Sequence, residues 1–312
     1  MPSARDVVLG AADGYGWEQL RPFVESLRAT GYDGEVTLFG RLSAATHERL
    51  ARERVDVVPV RRLQFTVRGK VWHAYNSRTT RLRWHAQPLH RHVVRAVTLN
   101  RPRPRDRLTA ALSNIDVARY FWYRDYLRAA RHRYRNVMLT DVRDVVFLGD
   151  PFGFDVGGTA NFFLEDDGRT LDSQTNNRGW IVGAYGRDAF QAIHDRPISC
   201  AGVTIGTADS VLAYLEATTA ELVLLARQFR GIDQGIHNYV VHTDRVRGRL
   251  VPNSEGPVLT VGIMDGAAAA DLLRRRAAEI RVVHQYDRHP EVTKAIEERR
   301  ATLPERESLA GD

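Results

Sequence analysis

The stretch Val137–Phe152, "VMLTDVRDVVFLGDPF", decides how the chain is read. Both ends are apolar, as in a strand buried on two faces, yet the middle holds Asp141, Arg143 and Asp144. Charge in an apolar run is costly unless it is paired, binds a metal or lies where the strand meets solvent. Val137-Met138-Leu139 is strand-like, so both carboxylates fall where that strand ends and the chain turns. In open α/β sheets, ligands bind outside the carboxyl ends of the strands. Hard oxygen donors placed there suit Mg²⁺ or Mn²⁺, held by one or two carboxylates and substrate phosphates. The spacing fits a structural arrangement equally well. In that reading Asp141 caps a turn, Arg143 pairs with Asp144, and Asp150-Pro151 opens a loop.

Upstream, "DVVLGA" (Asp6–Ala11), "EVTLFG" (Glu35–Gly40) and "VDVVPV" (Val55–Val60) read as strands. Between the first two, Trp17, Leu20, Phe23, Val24 and Leu27 recur at helical spacing and Gly31 supplies a stop. Ser43 is an N-cap for a second helix. Strands alternating with helices predict βαβ units: an α/β fold with a Rossmann-type, mainly parallel sheet flanked by helices. "NRPRPRDR" (Asn100–Arg107) reads as a proline-broken connection, followed by a helix from about Leu108 to Arg131. The second half is more mixed. "TANFFLED" and "GWIVGAYG" read as strands joined by the polar loop "DDGRTLDSQTNN". Helices are expected from about Asp209 to Phe229 and after Gly231, then a strand at Ile280–Tyr286. The organisation expected is a ligand-binding half over 1–150, a second half over 151–290 and a charged C-terminal helix or tail over 291–312.

The 312 residues, 43% apolar and 27% charged, are those of an ordinary globular protein. The N-terminus has no secretory apolar region, and no run approaches the length of a membrane span. A single cysteine, Cys200, permits no intrachain disulfide. The expectation is a soluble, cytoplasmic protein. The net charge of +7 is unevenly spread. No acidic residue lies between Asp56 and Asp106, while thirteen Lys/Arg run from Arg61 to Arg107 with aromatics among them. This basic insertion, 61–107, reads first as a solvated segment. Nucleic-acid binding, the lining of a site for phosphate groups and a peripheral position on an anionic membrane are the alternatives.

The wider pattern resembles glycosyltransferases of the GT-A fold, which place an acidic D-x-D element after a buried strand. "LTDVRDVVFLGDPF" has that layout, and "SCAGVTIGT" (Ser199–Thr207), "GIDQGIHNYVVH" (Gly231–His242) and "VVHQYDRHP" (Val282–Pro290) follow in the family's order. The similarity covers roughly Asp6 to Pro290, apart from the basic segment. The carboxylates here are three apart, not two. With "LGDP" held in register, Asp144 takes the second Asp position, Val142 the first, and Asp141 must reach the site by another route.

The resemblance implies a UDP- or GDP-sugar donor, an acceptor hydroxyl and a Mn²⁺ or Mg²⁺ held by Asp141, Asp144 and His284. A strand-end histidine with no ligand role fits the position of His284 equally well. The resemblance puts Asp233 and Gln234 at the sugar and acceptor. Asp233 would be the general base for the acceptor hydroxyl if configuration inverts, and would orient the reacting sugar if it is retained, towards which the resemblance tilts. An N-cap is the plainer role for Asp233. Arg119 would reach the donor from the helix before the acidic motif, or else extend to solvent. Asp13, Gly14 and Tyr15 would hold the nucleoside, with Tyr15 stacked on the base, or else form only a tight turn, and Arg143 would offset phosphate charge. Asp287, Arg288 and His289 are further candidates for the diphosphate. Glu165, Asp166 and Asp167 would either touch a polyhydroxylated acceptor or, the favoured reading, form a solvated loop end.

Rival enzyme classes fit less well. "GYGWEQ" lacks the third glycine of a dinucleotide fingerprint, and "EVTLFG" ends without a carboxylate. A sugar nucleotidyltransferase would resemble the sheet type but want a basic residue in its N-terminal glycine-rich loop, and "GAADGYGWEQ" has none. A nucleic-acid module would use the basic segment and leave the acidic set unexplained.

Overall fold

The computed structural model describes residues 5–67, 70–73, 92–225 and 229–301, with backbone alone for 64–67 and 70–73. Much of the basic insertion and the tail beyond 301 therefore lie outside the described residues.

Two βα units and a third strand open the chain: β1 (Arg5–Ala11), α1 (Trp17–Ala29), β2 (Glu35–Phe39), α2 (Ala44–Arg52) and β3 (Val55–Val58). The expected punctuation is present. Ser43 Oγ accepts from Thr46 N at 3.2 Å, and Gly31, at φ +85°, follows the end of α1. A hairpin of β4 (Gln64–Val67) and β5 (Lys70–His73) follows.

Two expectations fail next. "NRPRPRDR" is not a connection: helix α3 (Pro102–Leu112) begins at Pro102. Proline at the first helical position has no amide hydrogen to leave unpaired and a φ already suited to the helix. The single long helix expected from Leu108 is broken at Ser113, whose backbone is extended, and α4 spans Ile115–Ala130.

The opening stretch also divides. β6 (Tyr134–Thr140) ends before Asp141, and the apolar residues after Asp144 form a separate strand, β7 (Val145–Phe147), in another sheet. β8 (Ala160–Leu164) is as expected, but "GWIVGAYG" lies in helix α5 (Thr175–Tyr185), not a strand. A short apolar run does not separate the two by periodicity. Here packing decides, with Ile181 fully buried on an apolar cluster with Leu171 and Phe190. The chain continues through α6 (Arg187–Gln191), β9 (Ser199–Thr207), α7 (Ala208–Leu224), α8 (Ile232–His242) and β10 (Gly248–Val251). It closes with β11 (Val258–Thr260), α9 (Gly266–Arg275), β12 (Val282–His284) and α10 (Pro290–Ala301). The expected strand to Tyr286 stops at His284 because Gln285 adopts a left-handed conformation, φ +62°.

The main sheet has seven strands in the order β10-β8-β9-β6-β1-β2-β3. All neighbours are parallel except those of β9, which runs against β6 and β8. The fold is thus α/β with a mostly parallel mixed sheet, and strands from both halves of the chain share it. Strand alternation builds two apolar layers. Val7, Leu9, Val137 and Leu139 pack with α4, α7 and α8, while Val8, Val36, Leu38 and Met138 pack with α1 and the second sheet. That second sheet, β11-β12-β7, carries His284 to the end of β6. Among the described residues no helix is long and apolar enough to cross a membrane.

Candidate active site

β6 ends in the middle of the main sheet, and the hydrogen bond from Asp141 N to Gly202 O (2.8 Å) carries its pairing with β9 one residue further. The chain then crosses to the second sheet, where His284 pairs with Val145. Gln285 N donates to Asp144 O at 2.6 Å, fixing the strand-end histidine beside the second carboxylate. As a result, one ligand atom each from Asp141, Asp144 and His284 lie within 4.8 Å of one another. Val142, the residue in register with the family's first Asp, turns into the apolar core. Asp141 takes the place beside Asp144 instead.

The donor set fits a hard or borderline divalent cation, two carboxylates and one imidazole. His284 is 1% exposed, and its Nε2 lies 3.4 Å from Asp141 Oδ2 without a partner in hydrogen-bonding geometry. A buried ring nitrogen left so is costly in a purely structural role and suits a ligand. Room for the ring depends on Gly202, where an added Cβ would collide with His284 and press on Asp141. We predict that Gly202→Ala weakens Mn²⁺ binding by about ten-fold or more and costs ~1–3 kcal/mol of stability. Titration followed by Mn²⁺ electron paramagnetic resonance would measure the first, and denaturant unfolding the second.

Arg119, on α4, is buried and ties the cluster to α8. One guanidinium nitrogen pairs with Asp141 Oδ1 and the other donates to Asp233 Oδ2 at 3.0 Å. Arg119 does not reach out to solvent. Burial alone would raise the pKa of Asp141, but Arg119 and His284 outweigh it and hold that carboxyl well below the usual range. Burial raises Asp144, reinforced by the neighbouring Asp141 and Asp287 charges. Burial, with Asp116 and Asp141 nearby, pushes Asp233 up to about 7 in spite of Arg119. Burial disfavours a charged His284, yet Cys200 and Asp141 beside it raise its pKa.

Asp233 does not cap its helix. Gly231 does, at φ +81°, a position where an added Cβ would also strike the Trp180 ring. Ile232, Ile236 and Val240 bury one face of α8, which turns Asp233 and Gln234 towards β9. Gln234 Oε1 accepts from Ala201 N and its Nε2 donates to Ser199 O, both at 2.8 Å. Its amide therefore fixes β9 against α8.

Around these groups lies a cavity of about 580 Å³ lined by Asp116, Arg119, Asp141, Asp233, Gln234 and His284 among others. Arg288, a diphosphate candidate by sequence, also lines it. Arg143 is half-exposed, 3.6 Å from Asp287 and 4.0 Å from Asp144. Tyr15 is half-buried, and its hydroxyl feels the charges of Asp141, Arg143 and Asp144. Asp13 is different: its carboxylate, 1% exposed, is held by Arg41 (2.8 Å) and Arg62 (2.7 Å). Against burial, hydrogen bonds from these arginines lower its pKa to about 2. Asp13 thus locks the turn after β1, with Gly14 at φ +84° completing it, and offers little to a ligand.

Sequence reasoning passed over Asp116, Trp180, Cys200 and Arg230, and favoured a solvated loop end over an acceptor contact for Glu165. All five line the cavity. Asp166 and Asp167 behave as loop residues, each accepting backbone hydrogen bonds, but Glu165 is 8% exposed with Cys200 and Asn177 beside it. The signal was available, since Glu165 follows β8 as Asp141 follows β6.

Burial pushes Glu165 up to about 7, against the pull of His284 and the hydrogen bonds it receives. From the unfolded value near 4.5 up to about 7, the folded protein holds the extra proton, so stability falls as pH rises. The penalty is complete above about 7 and absent below about 4.5. Glu165→Gln should therefore stabilise the protein by up to about 3 kcal/mol near pH 8 and by nothing near pH 4. Unfolding curves at the two pH values would check the sign.

The chain matches no known protein-family model, and no curated protein is significantly similar to it.

Proposed function

We propose that this protein is a nucleotide-sugar-dependent glycosyltransferase of GT-A type, moving a sugar from a UDP- or GDP-sugar to an acceptor hydroxyl. One observation carries the reading. Asp141 and Asp144 of the acidic motif and the distant His284, all singled out by sequence resemblance, bring ligand atoms within 4.8 Å of one another. The seven-stranded sheet with its strand ends at the cavity is compatible with the same reading.

A bound Mn²⁺ or Mg²⁺ would supply positive charge against a departing diphosphate. Asp141, Asp144 and His284 are the residues that would hold it. Arg119 keeps Asp141 ionised, as ligation requires, and fixes the direction of Asp233. A carboxyl poised near pH 7 is suited to take a proton from an acceptor hydroxyl. Gln234 holds the small-residue strand β9 so that Gly202 leaves space for the His284 ring. Arg230 and Arg288 add positive charge to the cavity lining.

Calorimetry with UDP-, GDP- and dTDP-sugars, each with and without Mn²⁺, tests the proposal. The expected result is binding of at least one donor that strengthens with metal. Failure of every donor in both conditions would overturn it.

A further inference from the structure

Among the described residues, the large apolar side chains standing exposed are Leu63, Val93, Val97, Leu99 and Leu224. Four of these five lie in the stretch with no acidic residue between Asp56 and Asp106. Val97 and Leu99, at 71% and 74%, are the most exposed. Val93 and Val97 are one turn apart in the helical segment 92–97 and share a face. That segment leads directly into α3, where Arg103 and Arg107 are again one turn apart.

Arg61, Leu63, Arg103 and Arg107 meet around a second cavity, of about 700 Å³, whose walls include Phe121 and Trp122. It lies further along α4 than the candidate active site, since Asp116 and Arg119 line that site while Trp122 and Tyr126, later in the helix, line this one. Arg61, Arg103 and Arg107 are exposed, and no carboxylate among the described residues pairs with them. The nearby acids are already engaged. Asp106 holds Arg105 and Arg124, and Asp125 holds Arg124.

We infer that this surface docks the protein on an anionic lipid bilayer. Positive charge alone would serve nucleic acid as well as lipid, since both present phosphates. The aliphatic side chains separate the two. Binding of single-stranded nucleic acid uses aromatic faces for stacking, whereas exposed Val and Leu beside arginines gain by entering the boundary between headgroups and acyl chains. The apolar cavity, lined by Leu63 with Arg61, Arg103 and Arg107, adds a recess for hydrocarbon beside the positive charge. Each arginine near an anionic leaflet adds about 1 kcal/mol of attraction. This inference does not depend on the transferase reading.

Co-sedimentation of the full chain with vesicles is the test, using phosphatidylcholine alone and phosphatidylcholine mixed with phosphatidylglycerol. The chain is expected to pellet with the mixed vesicles and not with phosphatidylcholine alone. The double change Arg103→Glu with Arg107→Glu should weaken pelleting by about thirty-fold or more. Val97→Ser with Leu99→Ser should weaken it several-fold and leave any DNA or RNA retention unchanged. Because all four side chains are exposed, neither variant disturbs the core. Absence of pelleting by the unaltered chain on the mixed vesicles overturns the inference. So does pelleting that neither double variant reduces, or retention of nucleic acid without any vesicle binding.

Discussion

Replacing Asp144 with alanine is expected to reduce Mn²⁺ affinity by at least about a hundred-fold. The argument is geometric first: only Asp141, Asp144 and His284 form a close group of this kind among the described residues. Loss of outer partners alone commonly costs ten- to a hundred-fold in metal affinity, so loss of a direct ligand should cost no less. Electrostatics lets the binding effect be told from misfolding. Asp144 is buried beside Asp141, and burial raises its pKa. Its charge is therefore a burden on the metal-free fold, and Asp144→Ala should match or exceed the parent in stability without metal. His284→Ala should show the same loss of binding, whereas Arg143→Ala, at a half-exposed side chain, should change metal affinity by less than about ten-fold. Calorimetric Mn²⁺ titration of the three variants, beside unfolding curves in chelator, decides the matter. Unchanged affinity in Asp144→Ala would remove it from the metal site.

Asp233→Asn is expected to lower turnover by about 10²- to 10⁴-fold while leaving donor affinity close to the parent's. A carboxyl held near 7 by burial and by the Asp116 and Asp141 charges gains or loses its proton in the working range. Activity of the parent should therefore rise with pH through about 7, as Asp233 ionises, and that limb should vanish in Asp233→Asn. The asparagine keeps an oxygen facing Arg119, and Arg119 keeps its pairing with Asp141, so the fold should survive. Parallel pH profiles of turnover and of donor binding measure the split. A variant with the parent's turnover and pH profile would reduce Asp233 to holding Arg119 in place.

The first half of the fold was legible because its signals are local. Trp17 to Leu27 bury one helix face, Ser43 caps its helix, and "DVVLGA" has no solvent side. The acidic motif was legible for the same reason, since a carboxylate after an apolar strand is conspicuous. Glu165 carried that signal too, but the acids after it resembled a loop. What sequence could not supply was contact between distant segments. The Arg119 bridge from Asp141 to Asp233 exists because α4, β6 and α8 converge at one end of the sheet. Nothing in any one of those segments announces it. The misreading of "GWIVGAYG" has the same root, for its helix is chosen by what Ile181 packs against. At Pro102 the error was of a different kind: proline ends helices from within but also begins them.

One consequence follows from where His284 resides. It comes from the small second sheet, whose strands β11 and β12 are among the last the chain contributes, whereas β7 follows directly on the acidic motif. Until β12 has paired with β7, the strand-end carboxylates have Arg119 for company and no imidazole. In chain order the main sheet has its last strand by Val251, before the histidine of the candidate metal site has been added. A chain ending before residue 284 would lack the imidazole of the proposed metal site, however much of the main sheet it held.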